Sequence, residues 1–212
     1  MKKRRQVLLC GALIATSEKI RQGALLIEGE RIGRIWYADG HGLTEHNGEA
    51  VSLEALAEKL KSENAELETV SLDGKVIMAG GIDAHVHFRE PGMTAKADMS
   101  TESRAALLGG ITSYIDMPNT NPPATSIDRI REKAALADGR SYANWSFHIG
   151  ADNENPDAIA SMLKVNAASR EFAAVKVFMG SSTGNMLVDH GEALEKLFSI
   201  ENARILIHSE DE

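Results

Sequence analysis

A single cysteine, Cys10, in 212 residues cannot close a disulfide within the chain. That excludes a disulfide-stapled scaffold and fits a reducing, cytoplasmic setting. No apolar run reaches membrane-spanning length, so no membrane partner is expected. The run Val7–Ala15, which follows the basic cluster Lys2-Lys3-Arg4-Arg5, is too short for a secretion signal and has no clear cleavage site. Thr16-Ser17-Glu18-Lys19 breaks it, and it reads as a strand. Basic residues are in deficit, 23 against 31 acidic for a net charge of −8, which argues against nucleic acid as the main partner. A phosphate-cradling glycine loop is also lacking, and Gly109-Gly110 reads as a helix C-cap. The remaining composition, 43% apolar and 25% charged, is that of an ordinary soluble globular protein. The length suits one large domain, or one domain and part of another.

Residues 1–75 carry short apolar or alternating runs (Val7–Cys10, Gly23–Ile27, Arg31–Tyr37) punctuated by glycines, the pattern of hairpins in a small β-domain. Glu28-Gly29-Glu30-Arg31 suits a turn between two of them. The polar stretch from Ala38 to Ala50 reads as loop, with His41 and His46 solvated in it. Leu53, Leu56, Ala57 and Leu60 follow the i, i+3, i+4, i+7 spacing of an amphipathic helix, an insertion near 52–66. Val70–Lys75 returns to strand and turn.

From residue 76 to 212 a different rhythm holds. Strand candidates centre on Val86, Tyr114, Phe147, Lys176 and Leu206, roughly one every 30 residues, the length of a βαβ unit. The first of them is the long run Val76–Ala84. Helical patterns lie between: Lys96–Leu108, a helix capped by Ser126, another capped by Asn155 with Pro156 in its first turn, and one led by Gly191. Alternating strand and helix implies an α/β fold with a parallel sheet, open or closed as a barrel.

Chemistry concentrates at strand exits, where a (β/α)8 barrel builds its active site. His85 and His87, two apart, project to one face of a strand and make half of a coordination shell for a zinc-like ion. Arg89 follows at the strand's exit, where its planar cation can grip a carboxylate. The second exit delivers Pro118-Asn119-Thr120-Asn121, and the fifth ends in His208. Lys176 lies inside the apolar run Ala173–Met179. It could pair with a carboxylate, or reach solvent at a strand edge. A neutral amine there could also take up CO₂ as a carbamate, whose two oxygens can bridge two metal ions. Asp83 shares the face of His85 and suits either a ligand-orienting role or a structural hydrogen bond. His148 reads as a satisfied core or rim histidine, His190 as loop. Ser181-Ser182-Thr183-Gly184 suits either a pocket lining or a flexible turn.

The segments His85-Val86-His87-Phe88-Arg89-Glu90-Pro91-Gly92, Met117-Pro118-Asn119-Thr120-Asn121-Pro122 and Val175-Lys176-Val177-Phe178-Met179, with the His208 strand end, resemble the dihydroorotases of the amidohydrolase superfamily. The lysine strand is shared with hydantoinase- and allantoinase-like relatives, and Arg89 is what favours the dihydroorotases. The resemblance implies a TIM-type (β/α)8 metal-dependent hydrolase barrel beside a small β-sandwich domain. It also implies a binuclear zinc hydrolase that interconverts L-dihydroorotate and N-carbamoyl-L-aspartate in pyrimidine biosynthesis. Carried over by residue, His85 and His87 bind the more buried metal, carbamylated Lys176 bridges the pair, and His208 binds the second. Arg89 and Asn119 hold the substrate carboxylate. Small-molecule substrate is the expected partner, and a homo-oligomer is compatible with the family.

The chain departs from that pattern in extent. Five strand candidates fit within it where a barrel needs eight. The sixth-strand histidine ligand and the eighth-strand aspartate, which serves as proton shuttle, fall beyond residue 212, so no catalytic acid or base is assigned within it. The sequence therefore reads as the N-terminal half of an enzyme: a partial β-sandwich domain at 1–75 and the first five βα units at 76–212. Alone it is expected to be inactive and, with open strand edges, aggregation-prone. Two other readings remain: an allantoinase- or hydantoinase-like cyclic amidohydrolase, and a non-catalytic dihydroorotase-like scaffold subunit.

Overall fold

The computed structural model of the chain, in which residues 5–39, 42–44, 50–180 and 185–210 are described, divides into two units, 1–79 and 80–212. The first is built on a meander. Strands β1 (Gln6–Ala15), β2 (Ile20–Glu28) and β3 (Arg31–Asp39) pair antiparallel, and the turn at Gly29 closes because glycine tolerates φ +65°. The sheet continues through β4 (Gly42–Thr44) and β5 (Ala50–Val51). The stretch expected to be loop thus carries two short strands. Ladder bonds satisfy the backbone whatever the side chains are, and Thr44 Oγ1 adds a bond to the Tyr37 carbonyl at 3.0 Å. His41 and His46 lie outside the described residues.

Helix α1 (Leu53–Glu63) starts where Ser52 accepts the Ala55 N–H at 3.1 Å. Its Leu56 and Leu60 join Leu8, Leu26 and Trp36 in the core of this unit. Strands β6 (Glu68–Ser71) and β7 (Val76–Ile77) then pair parallel with successive halves of β1.

The run Val76–Ala84 is not one strand. Val76 and Ile77 belong to the first unit, whereas β8 (Gly81–Val86) opens the second. Gly80 and Gly81 make the break: a Cβ on either would collide with Thr112 or Ile111.

In the second unit strands and helices alternate: β8, α2 (Met99–Leu108), β9 (Ile111–Asp116), α3 (Ile127–Ala137), β10 (Asn144–Phe147), β11 (Ile149–Gly150), α4 (Pro156–Ser169), β12 (Val175–Phe178), α5 (Gly191–Phe198) and β13 (Ile205–His208). All its strand pairs are parallel, in the orders β10-β9-β8 and β11-β12-β13. His148 alone separates β10 from β11. Its N–H bonds the Asp116 carbonyl, and the next N–H, of Ile149, bonds that of Ala174, each at 3.0 Å. One strand pass therefore changes partners across one residue, and the passes follow chain order.

All four residues of β12 are buried, as expected of a parallel strand covered on both faces. The outer strands β8 and β13 are not, with Ile82 71% and Ile207 49% exposed. Caps hold the helices: Asp98 and Thr101 form a capping box at α2, and Ser126 accepts the Arg129 N–H at α3. Asn155 stands before Pro156 as expected but does not cap with its side chain. Its amide is committed to the loop, accepting from the Asp152 N–H at 2.9 Å and donating to the Gly150 carbonyl at 3.1 Å. No helix among the described residues is long and apolar enough to cross a membrane.

Candidate active site

Parallel strands deliver their C-terminal ends to one edge, and there the second unit gathers polar side chains in an apolar frame. β8 ends irregularly. Asp83 Oδ1 accepts the His85 N–H at 3.0 Å and the register against β9 slips between Asp83 and Val86. His85 and His87 lie with ring centroids 5.4 Å apart. His87 Nδ1 stands 2.8 Å from Asn119 Oδ1. With that amide oxygen as acceptor, Nδ1 carries the proton and Nε2 presents its lone pair, the usual arrangement of a metal-binding imidazole and its orienting neighbour.

Burial is the first cause of a lowered pKa at both rings. At His85 the positive ends of Lys176 and His208 add to it, and at His87 Arg89 and His85 do so. Both are therefore biased to the neutral form that binds metal.

Lys176, on β12, is 1% exposed. Its Nζ lies 4.9 Å from the Phe178 ring, no carboxylate among the described residues is within ion-pair reach of it, and burial pulls its pKa down. Of its open readings, the carboxylate pair and the solvated head are thus not what the fold shows. His208 pairs in register with Phe178, two residues along the strand from Lys176, so all three face one side. Its Nε2 is buried without a hydrogen bond, Glu210 Oε1 standing 3.5 Å away. Arg89 leaves β8 with φ +64°, and its Nη1 is likewise buried and unpartnered.

Among the described residues no three His, Cys, Asp or Glu side chains cluster tightly enough to hold an ion. The fourth expected ligand is a lysine, and His85 is the ring that senses both Lys176 and His208. Ser181–Gly184 lie outside the described residues.

Residues 76–181 match the amidohydrolase family model. The chain belongs to the amidohydrolase family. Its relatives include a dihydroorotase of Halobacterium salinarum, 34% identical over 166 residues, and one of Methanosarcina acetivorans, 35% identical over 145. These alignments cover 72% and 68% of this chain but 37% and 30% of the relatives, so the chain spans about a third of their length. Among solved structures, the L-hydantoinase (dihydropyrimidinase) of Arthrobacter aurescens superposes with a TM-score of 0.74 at 23% identity, covering 97% of this chain and 41% of that one. A D-hydantoinase of Bacillus sp. AR9 gives 0.69 at 25%, covering 97% and 40%. The amidohydrolase assignment thus rests on sequence over residues 76–181 and on these relatives, and the fold on nearly the whole chain.

Two buried groups escaped sequence reading. Lys133 on α3 donates to Asp116 Oδ2 at 2.7 Å and to the Met117 carbonyl at 2.9 Å, both side chains fully buried. Asp116 Oδ1 accepts the Phe88 N–H at 2.8 Å, directly beside His87. Lys133 could have been found from spacing, since it falls three after Ile130 and four before Ala137, on the buried face.

His148 is buried rather than on the rim, with Nε2 3.0 Å from the Ala84 carbonyl and Nδ1 unpartnered. Burial lowers its pKa below the ordinary 6.5, and the charges of Lys176 and His85 act in the same direction, against its backbone bonds. The unfolded chain then takes up the proton more readily, so stability is intact above about pH 6.5 and falls as pH drops below it. Thermal melts from about pH 7.5 to about 5.5 should show this loss, and His148→Gln should flatten part of the slope. An unchanged slope in the variant would assign the loss to other groups.

Proposed function

We propose that this chain provides the first metal and substrate ligands of a dihydroorotase, a hydrolase of a cyclic amide C–N bond that interconverts L-dihydroorotate and N-carbamoyl-L-aspartate. In this reading the parallel strands are an arc of a (β/α)8 barrel, and the first unit is part of a small β-sandwich domain.

The donor set fits a pair of divalent ions. A buried lysine amine with no carboxylate in reach among the described residues, and a buried His208 Nε2 with no hydrogen bond, are a costly arrangement unless something binds there, and the two imidazoles of β8 are biased to the neutral form that would bind with them. His85 and His87 would hold one ion, His208 the other, and Lys176, as a carbamate, both. Nitrogen-rich, tetrahedral-tolerant ligation favours Zn²⁺. When bound, such ions supply Lewis acidity and lower the pKa of water at the site. The chain's own residues do the rest of what is visible here. Asn119 orients His87, and Arg89 receives the carboxylate of the substrate. Proton transfer to the leaving nitrogen is not assigned to any of them, so these 212 residues alone are expected not to turn over substrate.

The observation that carries the choice of substrate is Arg89 Nη1, a buried guanidinium nitrogen with no hydrogen-bond partner, whose charge acts on His87. A planar carboxylate completes it, as a hydantoin ring does not. The likeness to hydantoinases favours the second reading, a cyclic amidohydrolase without a carboxylate to grip. In the protein at its natural length, Arg89→Ala should cut kcat/KM for L-dihydroorotate by about 100-fold or more, as expected for a buried charged hydrogen bond, with metal content unchanged. Preferred hydrolysis of hydantoin over L-dihydroorotate by the wild-type protein would reject the first reading for the second.

A further inference from the structure

Arg89 occupies the left-handed region, φ +64°, which a side chain with a Cβ adopts only when its surroundings force it. The forcing groups flank it. On one side the Phe88 N–H is held by Asp116, itself neutralised by Lys133. On the other, Glu90 is buried, and its carboxylate is fully engaged. Oε2 accepts the Met99 N–H at the start of α2 at 2.9 Å, and Oε1 accepts from Arg140 Nη1 at 2.8 Å. Two cations from one stretch, Lys133 on α3 and Arg140 just past its end, thus neutralise the two carboxylates on either side of Arg89. Behind them Gly92, at φ +84°, lies where a Cβ would run into the Asn121 carbonyl, and the Asn121 N–H bonds the Pro91 carbonyl at 3.2 Å. Among the described residues neither Glu90 nor Arg140 makes a hydrogen bond to His85, His87, Lys176 or His208. Its whole effect on the site passes through the backbone of residue 89.

We propose that Glu90, braced by Arg140, is a positioning residue for recognition of the substrate carboxylate. It holds Arg89 in its left-handed conformation with Nη1 already desolvated, so that binding a carboxylate orders little further. The inference rests on the assignment of Arg89 made above. A guanidinium fixed in advance gives up little freedom on binding; one released from Glu90 must be ordered by the substrate itself. The loss should therefore fall on KM and leave kcat nearly untouched, because the hydrogen bonds of Glu90 and Arg140 go to Met99, Leu136 and each other and to none of the proposed metal ligands.

The test uses the protein at its natural length, loaded with zinc, and compares Glu90→Gln, Arg89→Ala and the double variant. Glu90→Gln should raise KM and the calorimetric Kd for L-dihydroorotate about fivefold to tenfold, the factor for ordering one long side chain, with kcat within about twofold and zinc content unchanged. In the double variant Glu90→Gln should add nothing to the loss caused by Arg89→Ala, since it acts only through Arg89. Arg140→Gln, altered at its part-exposed end, should reproduce the KM effect, and Arg140→Lys should restore most of it; these carry the test if Glu90→Gln fails to fold. The proposal is overturned if Glu90→Gln or Arg140→Gln lowers kcat with KM unchanged, or if the Glu90 and Arg89 losses multiply. Should Arg89→Ala itself leave KM for L-dihydroorotate unmoved, the substrate assignment fails first, and that outcome is visible in the single variant alone.

Discussion

Lys176→Met is expected to make the metal-free chain more stable by about 1–3 kcal/mol, the scale on which proteins register a buried polar group without compensation, while removing metal binding. The ammonium of Lys176 is buried against Val175, Val177 and Phe178, has no carboxylate partner among the described residues, and is pulled toward neutrality by burial alone. Methionine fills nearly the same volume with no charge to desolvate. The sign of the pH dependence follows. With a folded pKa below the ordinary 10.5, the unfolded chain binds the proton more strongly, so wild-type stability rises with pH through the window below 10.5. The variant should lose that rise. Urea unfolding of the metal-free chain at several pH values, together with zinc stoichiometry at natural length, checks both halves. A destabilised variant would mean that the lysine has a partner in solution, and a variant that still binds two zinc ions would remove it from the metal site. A residue whose deletion stabilises the fold and abolishes function is held for chemistry rather than structure.

The other buried lysine should behave oppositely. Lys133→Met is expected to cost about 3–5 kcal/mol, the range for removing one member of a buried ion pair. Asp116 would remain with its charge buried and only the Phe88 N–H to meet it, and the Met117 carbonyl would lose its donor as well. The double variant Lys133→Met with Asp116→Asn should recover part of the loss, since the uncompensated charge is gone while the amide can keep the bond to Phe88. Chemical denaturation of the single and double variants gives the comparison. A single variant within about 1 kcal/mol of wild type would contradict the buried pair. Because Asp116 and Glu90 flank Arg89, the same substitution should loosen the loop that carries the proposed substrate contact.

These two lysines also show why the sequence was legible in one place and not in the other. Lys176 stood out because a strand with apolar residues on both sides of it has nowhere to put a charge. Lys133 sits among Arg129, Arg131 and Glu132 on an amphipathic helix, so that its spacing from Ile130 and Ala137 marks the buried face while its charge reads as one more surface residue. Its partner Asp116 is seventeen residues earlier, on a strand, and periodicity carries no information about such a pairing. Helix starts at Ser52 and Ser126 were readable because a cap is a local interaction. Asn155 misled for a related reason: its position fits a cap, but the loop competes for the same amide. The split of Val76–Ala84 depends on what Gly80 packs against, and the strands within 38–50 on backbone pairing with β3, both long-range facts. For the site, the spacing of His85 and His87, the lysine inside the apolar strand at 176 and the strand end at 208 were legible because each is a property of a single strand. The bracing of Arg89 was invisible, because a left-handed backbone at an arginine has no signature in residue type.

The central claim is that His85, His87, Lys176 and His208 share a pair of metal ions. Anomalous diffraction at the zinc edge, on crystals of the protein at its natural length, tests it most directly. The account predicts two zinc peaks, one bonded to His85 and His87 and one to His208, with density on Lys176 extended by a carboxylate that reaches both. Zinc bound away from these side chains, or a bare lysine amine with His208 turned from the metal, would contradict it.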